Sequence, residues 1–164
     1  MSKQEKFIKT IRTNRGIIHK AATLYTNSFE DREDLIQEII YQLWRSYGSF
    51  QGKSHISTWI YRVAMNVSIY QLNQKKKRLS FSPLPEQHIL ITPKDENTDD
   101  ERWVFIKSQI ETLDLLEKGI VMLHLEGKSY KEIGEIIGIS ESNVGTRLSR
   151  IKEKIRTNIS NMNT

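Results

Sequence analysis

The stretch SYKEIGEIIGISESNVGTRLSRIKEKI, residues 129–155, constrains the fold of this chain more than any other. Two apolar, helix-periodic runs meet there at a three-residue turn, Gly138-Ile139-Ser140. Helices that cross closely need a small residue at the crossing, and Gly134 lies four positions before the turn glycine. Gly138 can take a positive φ where the chain reverses. Ile133, Ile137 and Ile139 supply an apolar underside, and Ser140 is a good N-cap for the next helix. That helix places Val144, Leu148, Ile151 and Ile155 at offsets of 4, 3 and 4, one continuous face to bury. The face turned away carries Ser142, Asn143, Thr146, Arg147, Ser149 and Arg150, with Lys154 further along. Short hydrogen-bonding side chains followed by arginines suit base edges first and phosphates next. The pattern predicts a DNA-reading helix-turn-helix; an ordinary helical hairpin with a solvated face is the alternative. Gly145, inside the proposed recognition helix, is unfavourable there and either lets the DNA backbone approach or has no function.

The rest of the chain is also helical in pattern. Residues 5–27 carry apolar positions at helix spacing, with Gly16 as a weak point. A second helix follows, capped by Asp31, with Leu35, Ile36, Ile39, Ile40, Leu43 and Trp44 as its apolar stripe, ending near Tyr47-Gly48. GSFQGKSHI, residues 48–56, has no period and reads as a loop. A third helix runs from Ser57 to the cationic run Lys75-Lys76-Lys77-Arg78. Two more helices precede the helix-turn-helix, one over residues 103–116 and one ending at Gly127. No window reads as a strand. The expected fold is all-α: two small helical domains joined by a flexible acidic linker, the second a four-helix domain ending in the helix-turn-helix. The boundaries expected are 1–78, 79–100 and 101–164.

Charge follows the same division. Residues 1–78 carry net +8, residues 79–100 net −4 and residues 101–164 net +1. The middle segment also holds all three prolines, Pro83, Pro85 and Pro93. A basic domain attracts polyanions by counterion release. There is no cysteine, which excludes disulfides, zinc fingers and thiol catalysis. The four histidines have no metal-ligand spacing, no apolar stretch approaches the ~20 residues that cross a bilayer, and no signal core follows the N-terminal charges. A soluble, cytoplasmic chain without a cofactor is expected. No nucleophile–base pair, phosphate loop or carboxylate pair points to an enzyme.

Two segments of the first domain ask for a partner. DREDLIQEIIYQLWRSY presents Arg32, Glu33, Gln37, Glu38, Gln42 and Arg45 on its polar face. In STWIYRVAMNVSIYQLNQKKKR, Trp59, Arg62, Asn66 and Tyr70 fall at offsets of 3, 4 and 4, a stripe of aromatics, guanidinium and amide running toward Lys75–Arg78. Such a stripe suits unstacked single-stranded bases, and loop 48–56 offers one wall of a pocket for a flipped base. Trp59 is as well explained as core, and the cationic run as a solvated helix end.

These segments, in this order and followed by the helix-turn-helix, resemble the extracytoplasmic-function (ECF) type of bacterial RNA polymerase sigma factors from about residue 5 to 157. DREDLIQEIIYQLW looks like the family's core-polymerase-binding helix, FQGKSHISTWIYRVAMNVSIYQL like its promoter-melting and −10-reading segment, and LEGKSYKEIGEIIGISESNVGTRLSRIKEKI like its −35-reading element. The resemblance implies that Asp34, Gln37 and Glu38 contact the β′ clamp helices of core RNA polymerase. It implies that Trp59, Arg62 and Asn66 engage the −10 element; the stripe adds Tyr70, and the cationic run adds Lys75, Lys76, Lys77 and Arg78. At −35 it implies Asn143, Thr146, Arg147 and Arg150, with Ser142 beside them. It further implies docking of the second domain on the β flap, an acidic linker laid through polymerase channels, and a membrane-linked anti-sigma partner; a merely solvating linker is the alternative. Gly134 stands where alanine is usual in the family, Gly145 where a basic residue is common, and Glu141-Ser142 where an apolar-glycine pair is frequent. The function expected is therefore to bind core polymerase, direct it to −35/−10 promoters on duplex and single-stranded DNA, and stabilise promoter opening. A stand-alone dimeric regulator would leave the first domain's stripes unexplained, and no heptad seam supports a dimer; an adapter that occupies polymerase without initiating differs only in function.

Overall fold

The computed structural model describes residues 1–50, 52, 54–80, 105 and 108–162, the side chains of 79, 80 and 162 excepted. Every regular element among them is helical. The chain divides into two compact units, Met1–Lys94 and Asp95–Thr164. The linker expected over 79–100 lies, beyond Ser80, outside the described residues, as do Trp103, Val104 and Ile106 of the helix expected over 103–116.

The first unit contains α1 (Lys3–Thr13), α2 (Arg15–Leu24), α3 (Phe29–Tyr47) and α4 (Ile56–Ser80). The single helix expected over residues 5–27 is two helices. The break is at Asn14, which leaves helical geometry at φ −110° and ψ 20°, and both its backbone N–H and its side-chain amide donate to the Thr10 carbonyl, at 3.1 and 2.9 Å. Asparagine competes with the helix for backbone partners, whereas Gly16 continues helical. The cap of α3 is Ser28 rather than Asp31: Ser28 has the extended backbone a cap needs (φ −134°, ψ 156°), and its hydroxyl accepts from the Asp31 N–H at 3.1 Å. Asp31 instead places its charge in the first turn, at the positive end of the helix dipole.

α2, α3 and α4 pack against one another around Ile18, Ile39, Leu43, Ile60 and Met65. Ala21, Ala22 and Ala64, all fully buried, let the helix backbones approach. Each large aliphatic side chain so buried stabilises the unit by about 1.5–3 kcal/mol. α1 attaches through Phe7, whose ring meets Trp44 and Tyr47 edge-on at 5.0 and 5.2 Å.

The second unit contains α5 (Leu115–Leu125), α6 (Tyr130–Ile137) and α7 (Glu141–Met162), preceded by helical residues 108–111. Asp114 and Glu117 form a reciprocal capping box at the start of α5. Ser129 caps α6, and Ser140 caps α7 by accepting from the Asn143 N–H at 3.1 Å, as expected. Gly138 ends α6 in the left-handed region, at φ 89°. The core is Ile120, Leu123, Ile133, Ile136, Val144, Leu148 and Ile151. Ile136 takes the buried place expected for Ile137, which is half-buried. The C-terminal half of α7 is tied down by Lys154 donating to the Thr112 carbonyl (3.2 Å) and Asn158 donating to the Gln109 side chain (2.9 Å).

Candidate nucleic-acid interface

On α3 the buried face is Leu35, Ile39 and Leu43. The positions turned away from it include Asp34 and Gln37, both exposed, and Glu38, half-buried and accepting from the Gln42 amide at 3.0 Å. Tyr41 lies one turn beyond Gln37 and Glu38 on the same side, 53% exposed, with the Arg45 guanidinium 5.8 Å from its ring centre. Tyr41 was not singled out from the sequence, although its spacing of four from Gln37 and three from Glu38 is the signal that finds it.

Between α3 and α4 the surface sinks into a groove of about 460 Å³. Gln42, Arg45, Ser46 and Ser49 line it from α3 and the turn after it, and Val63, Asn66 and Val67 line it from α4. Arg45 therefore belongs as much to this groove as to the polar face assigned from the sequence. Asn66 offers a donor and an acceptor on one planar group, and the valines offer an apolar surface for a ring. Of the stripe expected on α4, Arg62, Asn66 and Tyr70 are exposed, Tyr70 by 61%. Trp59 departs from them. It is half-buried, with Phe50 at 5.1 Å and Tyr47 at 6.2 Å between ring centres. Lys75, Lys76, Lys77 and Arg78 are exposed, and Lys75 lies 3.8 Å from the Asp31 carboxylate. That ion pair is open to solvent, so it contributes little to stability.

The helix-turn-helix is tighter than its sequence reveals. A Cβ on Gly134 would stand 2.6 Å from the Ile139 carbonyl oxygen, a backbone atom that cannot swing aside. The Gly134 carbonyl itself receives the N–H groups of both Gly138 and Ile139, at 2.8 and 3.1 Å. Gly145 faces the Tyr130 ring, where an added Cβ would stand at an ordinary 3.5 Å, so this glycine lies toward α6. On α7, Ser142, Asn143, Thr146 and Arg150 are exposed and Arg147 is half-buried. Arg147 Nε donates to Asn143 Oδ1 at 3.2 Å, and the Thr146 hydroxyl to the Ser142 carbonyl at 3.1 Å. Burial alone would raise the Asp114 carboxyl, but hydrogen bonds from Glu117 and the nearby Arg147 charge carry it below its ordinary value. Glu117 moves the other way, raised by burial and by the Asp114 carboxylate beside it.

The two halves match two different regions of the Sigma-70 family. Residues 10–78 match Sigma-70 region 2, and residues 106–155 match Sigma-70 region 4. The chain is 30% identical over 160 residues to the ECF RNA polymerase sigma-E factor of Haemophilus influenzae, covering 86% of this chain and 82% of that protein.

This chain is an ECF sigma factor.

It is also 28% identical over 146 residues to the RNA polymerase sigma factor YlaC of Bacillus subtilis, covering 82% of this chain and 80% of that one. Among solved structures it shares its fold with the sigma factor RpoE of Bartonella quintana, in complex with the anti-sigma factor NepR. The TM-score is 0.75 at 17% identity, over 95% of this chain and 98% of the other. CnrH, in complex with the cytosolic domain of CnrY, aligns at a TM-score of 0.67 and 18% identity, over 97% of this chain and 90% of the other. As an ECF sigma factor the chain recognises promoters for RNA polymerase, and its family consists of transcription regulators rather than enzymes. Among the described residues, no helix is long and apolar enough to cross a membrane, and no cluster of acidic or histidine side chains could hold a metal ion.

Proposed function

We propose that this sigma factor divides initiation among three surfaces. The α3 face of Asp34, Gln37 and Glu38, extended by Tyr41, binds the β′ clamp helices of core polymerase. Tyrosine at the end of this polar patch supplies the rigid amphipathic anchor that protein interfaces favour. The groove between α3 and α4 takes an unpaired −10 base. Asn66 bonds its edge, Val63 and Val67 lie against its ring, and Arg62 and Tyr70 meet its neighbours. Trp59 supports the wall of the site, and Lys75, Lys76, Lys77 and Arg78 hold phosphates. Ser142, Asn143, Thr146, Arg147 and Arg150 form the −35 surface on α7.

The groove carries this reading. A shallow concavity that combines the apolar Val63 and Val67 with the polar Asn66 and Arg45 has the chemistry needed to hold a base out of its stack. Under this reading residues 1–78 and 101–164 act as separate modules joined by the acidic segment 79–100, net −4, which lies along polymerase channels that nucleic acid also uses. The exposed Leu125, at 71%, and Tyr130, at 37%, give the second module apolar surface for the β flap. The protein works in the cytoplasm without a cofactor of its own, and polymerase supplies metal and catalysis. An anti-sigma protein holds it inactive, by analogy with the two solved complexes.

The test is to mix the purified chain with core RNA polymerase and fragmented bacterial DNA, and to sequence the transcripts that need both. Discrete starts that share an upstream −35/−10 pair are expected. DNA binding without polymerase-dependent starts would replace this reading with that of an adapter or stand-alone regulator.

A further inference from the structure

Two of the five side chains placed on the −35 surface are bonded to each other. Asn143 and Arg147 stand four residues apart on one helix, and Arg147 Nε donates to Asn143 Oδ1 at 3.2 Å. A guanidinium is a rigid plane with five N–H donors in a fixed fork. Securing its Nε–H limits rotation of that plane and leaves the Nη groups to grip the O6 and N7 atoms of a guanine. Asn143 is constrained by the same bond. To grip adenine, an asparagine must accept from N6 and donate to N7 in one plane. Here one lone pair of its carbonyl oxygen is taken by Arg147, which fixes the amide plane along α7. Arg147 is also half-buried where Arg150 is exposed.

We infer, on the basis of the −35 reading above, that Asn143 is a positioning residue: it presets the Arg147 guanidinium, and one base position is read by the pair through Arg147 alone. Presetting lowers the ordering cost that a long flexible side chain otherwise meets on binding. It also gives Asn143 no base of its own.

The experiment uses holoenzyme assembled from the full chain and core polymerase, transcribing a promoter library randomised through the −35 element. Transcript abundance per template gives the preference at each base position. Arg147→Ala should flatten one position by roughly tenfold or more. Asn143→Ala should flatten that same position, by less, and Asn143→Ala combined with Arg147→Ala should be no worse than Arg147→Ala. Asn143→Asp keeps the acceptor but loses the amide donor that adenine requires; it should retain the preference even as its added charge lowers total output. Thermal melting of each variant separates these effects from loss of fold. A change at a position that Arg147→Ala leaves alone would show Asn143 reading its own base and overturn the inference, as would intact preferences in Arg147→Ala. Wild-type holoenzyme without any −35 preference would overturn the −35 reading itself.

Discussion

The two units bring their helices together in opposite ways. At the turn between α6 and α7 there is no room for a side chain: Gly134 has the Ile139 carbonyl where one would begin, and one carbonyl binds two N–H groups. Between α3 and α4 the surface instead hollows into about 460 Å³ lined by Arg45, Ser46, Ser49 and Asn66. The difference fits the two forms of DNA a sigma factor meets. A duplex presents its base edges in a groove, and a rigid ridge at a fixed angle reads them. An unpaired base arrives as a separate plane, and a hollow with an apolar floor and polar rim accepts it. Under the proposed function, closeness serves the first task and the hollow serves the second.

The largest test of this contrast is Gly134→Ala. The methyl group must displace backbone, so the second unit should lose roughly 1–3 kcal/mol in urea or thermal melts; unchanged melting would mean that the crossing has slack. Next is Asn66→Ala, which removes the polar edge of the hollow. Open-complex formation on duplex promoters should fall about tenfold, the equivalent of one good hydrogen bond, while affinity for core polymerase stays the same. Permanganate reactivity of −10 thymines measures this, and full recovery on a pre-opened bubble template would sharpen the assignment. Gly145→Ala should have the opposite sign to Gly134→Ala on the partner helix. Its Cβ meets only the Tyr130 ring at 3.5 Å, so α7 should gain up to about 1 kcal/mol of stability. The smallest effect belongs to Lys75→Ala. Its exposed pairing with Asp31 should contribute under about 0.5 kcal/mol to stability. If Lys75 contacts a phosphate, the slope of log affinity for −10 DNA against log salt should fall by about one.

Much of the fold was legible because it is written in local periodicity. The buried face of α7 follows from the spacing of Val144, Leu148 and Ile151, and its cap from Ser140. Where two local signals competed, reading along the chain chose wrongly. Asn14 rather than Gly16 divides the first helical segment, because an amide that bonds back to Thr10 ends a helix more effectively than a glycine weakens one. Ser28 caps α3 ahead of the equally plausible Asp31 because its backbone is extended. The candidate sites were legible in part. Asn66 stands on an open face as expected, whereas Trp59, on the same stripe, is drawn under Phe50. Phe50 comes from a loop without period, and no spacing rule could bring it there.

By itself the sequence determined the helices, the break in composition between the two halves and the types of side chain offered to DNA and polymerase. These depend on apolar spacing, capping groups and charge, all of which act over a few residues. Only the tertiary structure decided that Arg45 and Asn66 share one groove, that Gly145 looks toward Tyr130, and that Gly134 admits no side chain. Each of these depends on how two helices sit against each other in space, and that is set by the mutual packing of buried side chains from distant parts of the chain.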